Sequence, residues 1–283
     1  MCRWPRGLAT RGAGRRVVTP ARAWPSWRYG RRVRIAAGGA DAARGRVTAT
    51  PTQFSLSPLP PGPAGRAPHV RGAQRYLKAT HESVAGLLDA FDAVRVKAAA
   101  SKATLAGRLR RDQVDLLRAG LVFTSSGLDA VCHRLVRDTA LPLIERGGGA
   151  KAQFDAYLKD QLSQPRAPDG LLDAVTSPDP RIALIDRYIA AKTSSSFQGS
   201  ADLRKRLRDL LGIPKSALPD TRLTALDPFF KARNSIVHQL DYTDSTSTRT
   251  GRQHRAPADV VAQCDQVLLL ASDVIAQTAA LLR

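Results

Sequence analysis

Apolar residues recur at helical spacing along most of the chain after residue 74. The spacing predicts long helices over 75–100, 111–145 and 258–283, and we expect Pro142 to end or kink the second of them. No segment has the alternating pattern of a strand. The pattern therefore predicts an all-α protein, an up-and-down helical bundle with extra helices.

Shorter helices fit residues 151–163, 180–192 and 202–211. Asp227 followed by Pro228 is a good N-cap and first-turn pair, and it predicts the start of another helix. Ser, Thr and Arg crowd residues 241–257, which we expect to form an exposed, mobile loop. Composition agrees with this assignment, because aromatics make up only 5 % of the residues and Ala and Leu are abundant.

Cysteine usage bears on compartment and on metal binding. The three cysteines lie far apart and follow no metal-ligand spacing, so we expect a reducing, cytoplasmic setting, no metal site and no cofactor. Cys132 and Cys264 fall in apolar helical patterns and are predicted to be buried small hydrophobes. No apolar run approaches the length of a membrane span.

The chain divides by charge into two parts, 1–75 and 76–283. Residues 1–75 hold fifteen Arg, no Lys and one acid, Asp41, so they carry +14 of the net +20. This Arg/Pro/Gly-rich segment is predicted to be disordered. It fits an over-extended gene start, a basic arm on nucleic acid, or an organelle transit peptide. The helical domain spans 76–283.

One short stretch, RNSIVH at 233–238, departs from the expected helix pattern. On a helical wheel Arg233 falls inside the apolar face that Phe230, Val237 and Leu240 define. Such an arginine must reach water, pair with an acid or meet an anion. Asn234 and His238 lie together on the flank of the same face. We expect Asp241 to be solvated, with pairing to Arg233 or an influence on His238 as the alternatives.

These residues resemble the signature of the HEPN superfamily (higher eukaryotes and prokaryotes nucleotide-binding domains), an Arg-x4–6-His motif with a polar residue after the Arg. Two flanking segments are similar to those of its RiboL-PSP-HEPN-like branch. They are LLRAGLVFTSSGLDAVCHRLVRD (116–138), with its central Leu-Asp, and SSSFQGSADLRKRLRDLLGI (195–213), with its Phe-Gln. The resemblance covers roughly 111–283 and implies a HEPN-like bundle.

The resemblance implies a metal-independent endoribonuclease that works as a homodimer with a composite site. His238 would be the general base or acid, Arg233 would stabilise charge on phosphorus, and Asn234 would orient the imidazole or bind phosphate. The basic loop could guide the RNA backbone through three arginines, namely Arg249, Arg252 and Arg255.

Partners and role stay open at this point. A toxin or phage-defence effector acting on RNA under stress, with an antitoxin or regulatory partner, fits the resemblance. However, Leu240 stands where related toxins carry a modifiable tyrosine, and the nearest tyrosine is Tyr242. The alternatives are a non-catalytic HEPN dimerisation or nucleotide-binding scaffold, and a nucleic-acid-binding protein driven by residues 1–75.

Overall fold

Nine α-helices and one 3₁₀ turn form the regular structure of the described residues. The computed structural model describes residues 53–63, 68–101, 109–194, 196–244, 246–247 and 250–283. A 3₁₀ turn (Pro68–Val70) precedes the helices, which are α1 (Arg71–Ser101), α2 (Arg111–Arg146), α3 (Gly148–Ser163), α4 (Leu171–Val175), α5 (Pro180–Thr193), α6 (Ser200–Leu211), α7 (Asp220–Thr224), α8 (Asp227–Gln239) and α9 (Pro257–Leu281). These residues form no strand, only an isolated bridge between Tyr242 and Arg252. The predicted all-α class is confirmed.

The helix boundaries follow the apolar periodicity closely, with one exception at Pro142. This proline was expected to end or kink α2. Ending the helix is wrong, because α2 continues through Pro142 to Arg146. Gly147 caps the end of the helix with a φ of 96°, a backbone conformation that glycine adopts without strain and other residues do not. α4 and α7 were not predicted, since helices of five residues are too short to show a periodic pattern.

α2 is the central helix of the bundle. It packs against α1, α3, α5, α6, α8 and α9. Many of its apolar residues are fully buried, including Leu117, Leu121, Val131 and Leu135, whereas Phe123 is 52 % exposed. Because α2 contacts nearly every other long helix, its polar residues are the ones that reach several elements at once.

The chain before α1 also belongs to the packed structure. Residues 53–63 run over α1 and α9, and Phe54 packs edge-on against Phe91 with ring centroids 5.9 Å apart. The Ser57 amide and hydroxyl donate to the Asp265 carboxylate at 2.8 and 2.9 Å. The prediction of disorder is therefore wrong for residues 53–63 and 68–75. Residues 1–52 and 64–67 lie outside the described residues, so the prediction stays open for them.

α1 and α2 approach each other closely at Gly127. A Cβ added at this position would lie 2.1 Å from Cγ2 and 2.7 Å from Cβ of Thr80. The Thr80 hydroxyl also donates to the Tyr76 carbonyl at 2.8 Å, which holds its rotamer. Since Cβ itself is too close, a rotamer change at Thr80 cannot relieve the contact, and the two backbones would have to separate.

We expect Gly127→Ala to lower the free energy of unfolding by about 1–3 kcal/mol through overpacking. Gly86→Ala is the matched control, because Gly86 is exposed on α1 with nothing near its added Cβ. That change should raise the free energy of unfolding by up to about 1 kcal/mol through helix propensity. Urea unfolding of both variants measures the two effects. Equal stability of the two would contradict the close approach.

Candidate functional site

The RNSIVH stretch lies in the second half of α8. This helix begins at Asp227, and Pro228 occupies its first turn. Asp227, expected as the cap, is instead the first helical residue, and its carboxylate accepts a hydrogen bond from the Ser200 hydroxyl. The helix ends where Leu240 and Asp241 take positive φ angles of 49° and 64°. These left-handed residues turn the chain sharply away from the helix axis.

The buried face of α8 differs from the one the helical wheel predicted. Phe229, Phe230 and Ile236 are buried, whereas Val237 and Leu240 are 43 % and 63 % exposed. The predicted apolar face therefore includes two side chains, Val237 and Leu240, that the described residues leave exposed. Arg233, partly buried, therefore lies beside exposed apolar side chains.

Polar side chains hold Arg233 in place. Its Nη1 donates to Asn234 Oδ1 at 2.9 Å, and its Nη2 donates to Gln198 Oε1. Its Nε is buried and has no hydrogen-bond partner among the described residues. Arg233 forms no ion pair with Asp241, which was one of the expected alternatives.

The segment that carries Gln198 is attached to α2 through the preceding residue, Phe197. The neighbouring Phe197 is fully buried, and its amide donates to the Asp129 carboxylate at 2.6 Å. The Phe197 ring packs edge-on against His133 and lies under the Arg206 guanidinium. The Leu-Asp of α2, the Phe-Gln segment and the Arg of α8 are thus linked in space by hydrogen bonds.

Asn234 and His238 line a common cleft of about 760 Å³. Lys231, Gln239 and Ser235 of α8 line it too, and the opposite wall includes Gln253. No carboxylate lines this cleft within the part of the chain described here. His238 is exposed, and its imidazole has no hydrogen-bond partner among the described residues. The ring is therefore free to exchange a proton with a bound molecule.

Arg233 does not line this cleft. The structure thus brings Asn234 and His238 together in one cleft, and it connects Arg233 to them only through the Asn234 amide. Asn234 Oδ1 is occupied by the arginine, which leaves the amide N–H groups for other partners.

Asp241 is fully buried, and the prediction of a solvated carboxylate was wrong. Arg118 Nε of α2 donates to its Oδ2 at 2.9 Å, and Arg255 donates to both of its oxygens. Burial alone would raise the pKa of Asp241. The hydrogen bonds from Arg255 and Arg118 outweigh that effect and hold the pKa below its ordinary value.

The basic loop is attached to the bundle. Arg252 Nε donates to the Leu240 carbonyl at 2.7 Å and its Nη1 to Asp115 at 2.7 Å. The candidate RNA-guiding residues Arg252 and Arg255 therefore already have protein partners, although Arg255 also lines the cleft. The third candidate, Arg249, lies outside the described residues.

Sequence reasoning missed Gln198, Arg118 and Asp115 as parts of this region. Arg118 interrupts the apolar pattern of a central helix, as Arg233 does in α8, and that interruption was an available signal. Nothing in the sequence pairs Arg118 with a residue 123 positions away.

Other chemistry is sparse in the described residues. They contain no group of three His, Cys, Asp or Glu side chains arranged to hold a metal ion. Cys132 and Cys264 are buried and unpaired, as predicted. Burial raises the pKa of both thiols, that of Cys264 to about 11, so neither is a nucleophile at neutral pH.

No helix among the described residues has the length and apolarity needed to cross a membrane.

Comparison of the chain with protein-family models, with curated proteins and with solved structures found no match. A function for this protein therefore has to be inferred from its all-α class and from the geometry of the site.

We expect Asp241→Asn to lower the free energy of unfolding by about 3–5 kcal/mol at pH 7, because the buried Arg118 and the partly buried Arg255 lose the charged carboxylate that they share. The native pKa of Asp241 lies below its unfolded value near 3.8. Its contribution is therefore complete above that value and disappears as the pH falls through the native pKa. Urea unfolding from pH 7 down to pH 2 should show a constant difference between the two proteins above pH 3.8 and convergence only below it.

Asp112→Asn is the matched control, because this exposed carboxylate on the first turn of α2 has only a 3.5 Å ion pair with Arg110. Its effect on unfolding should be small at every pH. An Asp241→Asn variant as stable as wild type at pH 7 would contradict the buried network.

Proposed function

We propose that this protein is a metal-independent endoribonuclease of HEPN type that cleaves RNA through its own 2′-hydroxyl. The observation that carries the proposal is the cleft that His238, Asn234 and Lys231 line together. The His238 imidazole has no hydrogen-bond partner among the described residues, and no carboxylate is among the described residues that line the cleft. A cationic lining of this kind suits a phosphodiester. The carboxylate ligands that divalent-metal nucleases use are missing from this described lining.

The reaction needs one proton acceptor and one proton donor. The 2′-oxygen attacks the adjacent phosphorus while its proton passes to a base, and the bond from phosphorus to the 5′-oxygen breaks as that oxygen takes up a proton. The products are a 2′,3′-cyclic phosphate and a 5′-hydroxyl. We assign the base or acid role to the free imidazole of His238.

The other two residues act on the phosphate. With its Oδ1 held by Arg233, Asn234 directs its amide N–H groups to a phosphate oxygen or to the His238 ring. Arg233 supplies the permanent positive charge that stabilises the phosphorane, and Lys231 adds to it.

A homodimer would explain why Arg233 lies outside the cleft of its own chain. The arginine lies beside Val237 and Leu240, two exposed apolar residues that pairing of two copies would bury. In such a dimer the RNA would bind in a composite site with a His238 from each copy. A toxin or defence effector in the cytoplasm, held in check by an antitoxin or regulatory partner, is the biological role we attach to this activity.

The second candidate is a HEPN-type scaffold that dimerises or binds nucleotides without turnover. The contact of Arg233 with Gln198 favours it, since that contact ties two segments together irrespective of catalysis. The third is binding of nucleic acid by residues 1–75, of which 53–63 and 68–75 are described and the others are not.

The full chain should cleave labelled tRNA or mRNA in EDTA and leave 2′,3′-cyclic phosphate ends. His238→Ala should reduce the rate by about 10²–10⁴, the range for loss of a general acid or base. His69→Ala is the matched control, because His69 is an exposed histidine on the 3₁₀ turn before α1. This variant should cleave RNA at the wild-type rate.

Equal cleavage by His238→Ala and wild type would remove His238 from the mechanism. If neither protein cuts RNA although both fold and dimerise, the scaffold becomes the better account.

Val237→Glu should convert the dimer to a monomer, because it places a charge in the apolar surface next to Arg233. Sedimentation velocity measures the change. Leu162→Glu is the control, since Leu162 is an exposed apolar residue of α3 that lies outside this surface. Loss of the dimer in both variants, or in neither, would contradict the assignment of the interface.

A further inference from the structure

A second pocket, of about 270 Å³, lies next to the His238 cleft. The first turn of α2 contributes Arg111 and Val114 to it, and the chain returning to α9 contributes Arg252 and Gln253. Gln253 lines both the pocket and the cleft, so the two are separated by a single residue. Gln253 is thus the point at which a ligand of the cleft could reach the pocket.

Positive charge exceeds negative charge around the pocket. One carboxylate, Asp115, lies 3.7 Å from Arg111 Nε, 2.9 Å from Arg118 Nη1 and 2.7 Å from Arg252 Nη1. The neighbouring Asp241 is shared by Arg118 and Arg255. Four guanidiniums around two carboxylates leave a surplus of two positive charges in this cluster.

The guanidiniums differ in how many donors remain unused. Arg118 is buried and uses Nε, Nη1 and Nη2 on Asp241, Asp115 and the Gln253 carbonyl. Arg252 uses Nε and Nη1, and its Nη2 has no partner among the described residues. Arg111 is 84 % exposed, and its one ion pair among the described residues is the long contact with Asp115. Arg111 and Arg252 therefore both have donors left for a ligand in the pocket.

We propose that this pocket binds a phosphate group of the RNA next to the one in the His238 cleft, through Arg111 and Arg252. The inference rests on the proposed function, because it names the site that holds the flanking part of the same substrate. A guanidinium fork matches two phosphate oxygens, and a phosphodiester in the pocket balances one of the two surplus charges. Arg118 stays with the protein and keeps the pocket wall in place.

Arg111→Gln tests the proposal without disturbing the fold, since an exposed ion pair of this length contributes little to stability. Arg110→Gln is the matched control. It removes the same charge one residue away, from a side chain that does not line the pocket.

The first experiment uses sodium phosphate as the probe and thermal unfolding as the readout. Phosphate should raise the Tm of the full chain above the value in sodium chloride of equal ionic strength. Exclusion of phosphate from the protein surface raises the Tm of all three proteins, so the part of the shift that comes from binding is the difference between them. The shift should be smaller in Arg111→Gln than in wild type and should keep the wild-type size in Arg110→Gln. An equal shift in the two variants, or no shift beyond that of chloride, would overturn the pocket as a phosphate site.

The second experiment measures binding of an RNA oligonucleotide made uncleavable by 2′-deoxy substitution, by fluorescence anisotropy at several salt concentrations. Loss of one phosphate contact should flatten the slope of log K against log[salt] by about 0.7 in Arg111→Gln. Arg110→Gln should keep the slope of wild type. Equal slopes for all three proteins would show that RNA does not reach the pocket.

The two experiments distinguish the phosphate pocket from the proposed ribonuclease activity. Neither experiment requires cleavage. The expected slope change with the 2′-deoxy oligonucleotide, together with no cutting of the same RNA with its 2′-hydroxyls intact, supports the pocket and contradicts the ribonuclease. Cleavage that depends on His238, with no slope change in Arg111→Gln, supports the ribonuclease and overturns the pocket.

Discussion

The buried carboxylate of Asp241 is the interaction on which the functional region depends. Asp241 follows the end of α8. Its carboxylate accepts hydrogen bonds from Arg118 of the central helix and from Arg255 of the segment before α9. Neither an unpaired carboxylate nor unpaired guanidiniums could stay buried there, so the three groups must assemble together. Their assembly fixes the end of α8 and brings Gln253 opposite His238, which creates the cleft wall.

A second polar contact positions the arginine of the motif from the other side. Asp129 of α2 accepts the Phe197 amide, and Gln198 then accepts from Arg233. The same central helix therefore organises both flanks of α8, through Arg118 near its start and Asp129 near its middle. A helix that packs on most of the others is suited to this, because its polar groups are surrounded by several elements that can satisfy them.

The two basic regions differ in the use of their charge. In the network around Asp241 the guanidiniums are consumed by the fold, and their role is to hold the loop. At the first turn of α2 the nearby carboxylates are too few to neutralise the arginines, and the exposed Arg111 keeps N–H donors that have no protein partner among the described residues. This contrast separates Arg118, which the structure needs, from Arg111, which is free to meet a ligand.

Local patterns predicted most of the helices, because a helix and its boundaries depend on residues within a few positions of one another. The sequence by itself determined the all-α class and the placement of Asn234 and His238 one turn apart on α8. Only the tertiary structure decided which faces are covered, so Val237 and Leu240 are exposed and Asp241 is buried against expectation. Its partner Arg118 lies 123 residues away, and no local pattern encodes a contact made by packing over that separation.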